Sequence, residues 1–242
     1  MTVKELLRSR ITLILLFLIP TLFYALVVLT TTDRTIAFRL ASISEETFVD
    51  VSERSESLIF IGLAAVGLLT SFLALNLVQK HSETTRRLVL CGYQPAELIV
   101  SKLLVLVCIV VLIGCYVGAM LPLFFDPKHF VFVIVGFALG GFVYGCYGLL
   151  VGSIFKRELE GILFIVLLAN IDAGWLQNPI FYAEAHNKAI IRHLPAYFPS
   201  QTSIISAFTD YDIGTSIIGS FVYGSLLLVA ALVIYWWRMR IR

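Results

Sequence analysis

The segment FVFVIVGFALGGFVYGCYGLLVGSI, residues 130–154, decides the fold. It contains no charged side chain. The hydrocarbon core of a bilayer is about 30 Å thick and takes about 20 apolar residues of helix to cross. No water reaches backbone N–H and C=O groups there, so only helices or closed barrels span it. Barrel strands alternate apolar and polar residues at period two, and residues 130–154 do not. Five comparable blocks lie around this one, at 11–31, 58–78, 98–124, 162–176 and 217–237. The reading is an all-α integral membrane protein with six transmembrane helices, one domain over residues 1–242.

Composition agrees. The hydrophobic fraction is 59% and the mean hydropathy is +0.93, above the range of soluble domains. Six spans and short connections leave no room for a soluble catalytic domain. The net charge of +2 carries no basic stripe with interleaved aromatics, which argues against a nucleic-acid partner. Cys91, Cys108, Cys115 and Cys146 show no C-x-x-C spacing and read as buried thiols. His81, His129, His186 and His193 lie in different connections, with no H-x-x-H pair for a metal. Residues 11–31 are too long for a cleaved signal and lack a small-residue cleavage site. No G-x-x-x-x-G-K-[ST] phosphate loop, nucleophile elbow or H-E-x-x-H pair occurs.

Lys and Arg partition by side. Lys4, Arg8, Arg10, Lys80, Arg86, Arg87, Lys102, Lys156, Arg157, Arg238, Arg240 and Arg242 fall at one end of the spans. Only Arg34, Arg39, Arg54, Lys128, Lys188 and Arg192 fall at the other. The positive-inside rule puts the first group, and both termini, in the cytoplasm. An even number of spans requires the same. The plasma membrane is the expected location. The first outer loop, 32–57, is acidic, and Phe38, Leu40, Ile43, Phe48 and Val51 mark a short amphipathic element in it.

Two connections are more than loops. Residues 80–102 open with charge, run through Leu88-Val89-Leu90, break at Gly92 and Pro95, and re-enter the membrane. A short cytoplasmic helix bearing Arg86 and Arg87 would either dock in a groove of a soluble partner or lie on the membrane surface with basic anchors. Residues 177–208 are too apolar for a simple loop and too broken by Pro179, Pro195 and Pro199 for one helix. A re-entrant or interfacial hairpin on the outer side fits, with Tyr182, Tyr197 and Phe198 at headgroup level.

The first of these connections resembles the coupling-helix region of ABC-2-type transporter permeases at Thr84, Leu88-Val89, Glu97-Leu98-Ile99 and Lys102. Glu83 stands where the family has Gly, and Ser101 replaces its last Gly. The second resembles the outer element of the same permeases at Pro179, Leu194-Pro195, Phe198-Pro199 and residues 203–208. The resemblance implies the membrane subunit of an ATP-binding cassette exporter for a drug, lipid or peptide. It implies separate ATP-binding subunits, which carry ATP and Mg while this chain holds no cofactor and is no enzyme. It also implies a second copy or a sister permease. Glu83, Thr84, Arg86, Arg87 and Leu88 are then the ATPase-docking residues. A six-span channel or an ion-coupled carrier is the alternative. Such carriers place polar or charged groups and broken helices at the midplane, often in repeated halves; here midplane charge is almost nil and no internal repeat is visible.

Asp172 is the one acid well inside an expected span, with Asn170 close by. An intramembrane carboxyl is costly and a functional candidate. It either lies on a substrate or gating path, or sits near the outer end of a short span, hydrated or capping the hairpin. Gly141, Gly145, Gly148 and Gly152 share a helix face, as do Gly114 and Gly118. Such faces allow close approach in lipid, for sliding or for static packing.

Overall fold

The computed structural model describes residues 10–40, 48–79, 95–155, 157–178, 181–182 and 185–240. Its helices are α1 (Arg10–Thr30), α2 (Glu53–Gln79), α3 (Pro95–Met120), α4 (Phe130–Ile154), α5 (Glu158–Ile171), α6 (Lys188–Arg192), α7 (Tyr197–Phe208) and α8 (Gly214–Arg240). A π-helical turn, Asp172–Leu176, continues α5, and a 3-10 turn, Leu121–Leu123, ends α3 at Pro122. Among the described residues six helices are long and apolar enough to cross a membrane, including α5 with its π turn. All six fall on the blocks expected from sequence. The boundaries move outward by a few residues: α2 starts at Glu53 rather than 58, and α5 at Glu158 rather than 162. Polar and acidic first turns are favoured at a helix N-terminus, where free N–H groups meet headgroup water.

The hub is α4. Glycines on it and on its partners let four neighbouring helices come close. A Cβ on Gly148 would run into the Ser71 backbone of α2, and one on Gly136 into Ser203 of α7. Gly145 lies against Leu106 of α3, and Gly114 of α3 lies against the Ala138 backbone. Phe142 fills the space over Gly224 of α8. Ser71 Oγ donates to the Tyr144 carbonyl across the α2–α4 seam at 3.0 Å. The glycine faces read from sequence thus pack against other helices of the same chain.

Helices α1, α5 and α8 form the outside. They expose Leu22, Leu26 and Leu29, then Leu163 and Leu167, then Leu226, Val229 and Val233. Apolar surface of this extent is the signature of contact with lipid or another subunit. Next to Pro20 in α1, Thr21 Oγ1 donates to the Phe17 carbonyl at 2.7 Å and meets Tyr116 Oη of α3 at 2.7 Å.

The outer loop 32–57 departs from the all-α expectation. Strands β1 (Thr35–Arg39) and β2 (Phe48–Ser52) pair antiparallel, with Ile36 opposite Val51 and Phe38 opposite Val49. Arg34 Nε donates to Glu53 Oε2 at 2.6 Å and closes the base of this ribbon on α2. The reason was in the residues: Ile36, Phe38 and Leu40 recur at period two, a strand pattern rather than a helical one.

Candidate functional site

At one end of the bundle Gln79 Nε2, at the last residue of α2, donates to the Phe155 carbonyl in the α4–α5 connection at 3.2 Å. The Lys102 ammonium lies 5.7 Å from the centre of the Tyr235 ring, bringing the start of α3 to the end of α8. Glu83, Thr84, Arg86, Arg87 and Leu88 themselves lie outside the described residues.

The opposite end holds a buried polar cluster around Asp172. This residue opens the π turn at the end of α5 and is fully enclosed, at 0% exposure. Its Oδ2 accepts from Tyr144 Oη of α4 at 2.7 Å and from the Ala196 N–H at 2.8 Å. Its Oδ1 accepts from Gln177 Nε2 at 3.0 Å. The same Gln177 nitrogen donates to the Ile191 carbonyl of α6 at 3.3 Å. Two acceptors on one amide nitrogen fix which end of the Gln177 amide faces Asp172. Gln177 Oε1 and Tyr147 Oη are buried without hydrogen-bond partners. The hydrated reading of Asp172 therefore does not describe its setting, since protein encloses it on every side.

The local sequence builds this arrangement. The π turn adds one residue per turn, so the Gln177 N–H reaches the Asp172 carbonyl, five residues back, at 3.1 Å. That wide turn swings the Gln177 side chain back beside the carboxylate. Helix α7 begins with Ala196 at its cap position and has no side-chain cap of its own. Asp172 supplies a carboxylate to that N–H from another helix, as the Glu of a capping box does from within one. Asn170 does not join the cluster. Its amide donates to the Val166 carbonyl of its own helix at 2.8 Å, and the residue is exposed.

Tyr182 and Tyr197 also differ from expectation. Both are buried, packed with Ile191. Arg192 Nε donates to Tyr182 Oη at 3.1 Å. The exposed rings near this end are Trp175 and Phe181, edge to face with centroids 5.9 Å apart.

Beside the cluster, the α3–α4 connection docks on the end of α7. The Lys128 N–H donates to the Ala207 carbonyl and the His129 N–H to that of Ser206, each at 3.0 Å. The exposed carboxylate of Asp210 accepts from Lys128 Nζ at 2.9 Å and meets His129 Nε2 at 3.1 Å. The Lys128 hydrogen bond and charge hold that carboxyl below its ordinary value. Glu56 was read from sequence as part of the outer loop. It lies in the first turn of α2, buried, with Oε1 unpartnered. The signal was the pair Glu53 and Glu56, an acidic first turn. Among the described residues no three His, Cys, Asp or Glu side chains converge as metal ligands.

Asp172 is thus a buried carboxylate held by three donors, from Tyr144, Ala196 and Gln177. Comparison with known proteins agrees with a transport subunit. A search of curated proteins finds no match. The family model described as ABC-2 family transporter protein matches residues 44–237, from the outer hairpin to the end of the last span. With six apolar helices under that match, the chain is a multi-pass membrane protein that belongs to the ABC-2 transporter family.

Proposed function

We propose that this chain is the permease subunit of an ATP-binding cassette exporter, working as one of two such subunits in the plasma membrane. The observation that carries the reading is the family match over six apolar helices. The positive-inside bias of the sequence puts the 80–102 connection and both termini in the cytoplasm. An ATP-binding subunit, holding ATP and Mg, docks on the connection between α2 and α3 through Glu83, Thr84, Arg86, Arg87 and Leu88. Its closure drives the bundle between states, because nucleotide shifts an equilibrium only by preferring one of them.

The outer segment from 177 to 208 is a re-entrant hairpin in this reading. It is supported by the burial of α7, which carries Ser200, Thr202, Ser203 and Ser206 inside the protein with each hydroxyl bonded to a carbonyl of its own helix. Non-helical backbone at membrane depth is tolerated only where protein or a cavity surrounds it. The cargo is an amphipathic or hydrophobic molecule, as the resemblance of the two connections to ABC-2-type permeases implies.

The test is co-purification. The tagged chain, expressed with the ATP-binding subunit of its own genomic neighbourhood, retains that subunit in mild detergent. Replacing Arg86 and Arg87 together with Glu lowers the recovered subunit severalfold. Equal recovery, with unchanged ATP hydrolysis by the complex, would overturn the docking assignment.

A further inference from the structure

Three anchors grip the short run of chain that leads into α7. Gln177 holds the Ile191 carbonyl. Tyr223 of α8 donates to the His193 carbonyl at 2.8 Å. Asp172 accepts the Ala196 N–H, and Tyr144 of α4 meets the same carboxylate oxygen. Further along, α7 is close-packed on α4, with Ser203 against Gly136 and Pro199 near Gly140, and its end accepts the Lys128 and His129 N–H groups. Its start, at Ala196, is tied to α4 and α5 by directional bonds that meet on one carboxylate.

We propose that Asp172 is a positioning residue, a latch that fixes α7 on α4 and closes the outer end of the bundle until the transport cycle releases it. The geometry has the properties of a switch. The carboxylate belongs to the end of α5, Tyr144 to the hub, and Ala196 to the start of α7, so no relative movement of these three preserves all the bonds. Hydrogen bonds break over a fraction of an ångström, so a small shift of the start of α7 frees the carboxylate. Separation of α7 from α4 would uncover Ser200, Ser203 and Ser206, a hydroxyl-bearing surface suited to water. The inference rests on the transporter reading for its purpose, but the latch itself is a statement about which contact keeps α7 in place.

The experiment uses the assembled complex in lipid nanodiscs, in a background free of reactive native cysteines. Ser203→Cys reports on α7, because Ser203 faces Gly136 of α4. Ser71→Cys reports on the α2–α4 seam. A membrane-impermeant maleimide is applied without nucleotide. Asp172→Asn places an amide N–H against donors and is expected to raise labelling at position 203 roughly tenfold. Tyr144→Phe, which removes one bond and keeps the ring, is expected to raise it roughly threefold. Position 71 stays protected in both. Fewer substrate molecules are moved per ATP hydrolysed in each variant.

Unchanged labelling at 203 in both variants would overturn the latch. Equal rises at 203 and 71 would also overturn it, because they report general loosening. Should Asp172→Asn fail to assemble, Tyr144→Phe and Gln177→Ala carry the same readout. Selective labelling at 203 in a complex that moves no substrate upholds the latch and defeats the transporter reading instead.

Discussion

The α2–α4 seam and the outer run from Gln177 to Ala196 hold the same molecule together by opposite means. In the seam, Gly148 admits the Ser71 backbone and Gly67 lies under the Tyr144 ring. Nothing there has a second arrangement at similar cost, because interiors are close-packed and intolerant of added volume. In the outer run, bonds from Asp172, Gln177 and Tyr223 hold backbone atoms at points along the chain. A seam of small residues makes a rigid body, and a chain pinned at three polar points makes a movable one. Tyr144 belongs to both, with its carbonyl on Ser71 and its hydroxyl on Asp172.

The contrast can be broken at its rigid side first. Gly148→Leu drives a branched side chain into the Ser71 backbone and is expected to cost about 3 kcal/mol or more, as overpacking of a dense core does. Thermal aggregation of the detergent-purified protein measures it. A stability equal to the parent would show that α2 and α4 can part, and the distinction between the regions would fail.

A gentler change sharpens it. Ser71→Ala removes the bond to the Tyr144 carbonyl and leaves the close approach intact. Hydrogen bonds between membrane helices average about 0.6 kcal/mol, and a loss of that order is expected by the same measurement. A much larger loss would mean that the seam, too, depends on directional bonds.

The smallest effect lies outside the membrane, at Asp210. Its carboxyl is depressed in the folded protein by Lys128 first and His129 second. The pair's contribution is therefore complete above the unfolded value of about 3.9 and lost as pH falls through the lower folded value. Lys128→Gln removes it. The difference in melting temperature between parent and variant should be constant from neutrality to mildly acid pH, then vanish below about pH 4. A difference that persisted in acid would assign the effect to something other than this ion pair. The exposure of the pair keeps it small.

What could be read in advance followed from local pattern. Uninterrupted apolar runs gave the six spans because the bilayer demands a minimum length, and Asp172 stood out because its neighbours are apolar. Its partners did not stand out. Tyr144 lies on another helix, and Ala196 takes part through its backbone N–H, which no residue type announces. Gln177 was five residues away, yet only a π turn brings it back, and a π turn has no composition. The β1–β2 ribbon was legible in Ile36, Phe38 and Leu40, but acidic residues around them drew the eye to charge instead of period. Asn170 had the same sequence credentials as Asp172. Two residues along a helix point in different directions, and its amide turned back to its own backbone.

The central place of α4 bears on how the protein is made. Helices enter the membrane in chain order, and α4 is the fourth of the six spans. Until residues 130–154 are released, α2 and α3 have no shared seat, and Ser71, Leu106 and Ala138's counterpart Gly114 face lipid. A ribosome stalled before that point leaves a nascent fragment with unfilled notches, the kind of surface a membrane protease removes. Biosynthesis passes its checkpoint when one glycine-lined rod arrives and its neighbours close around it.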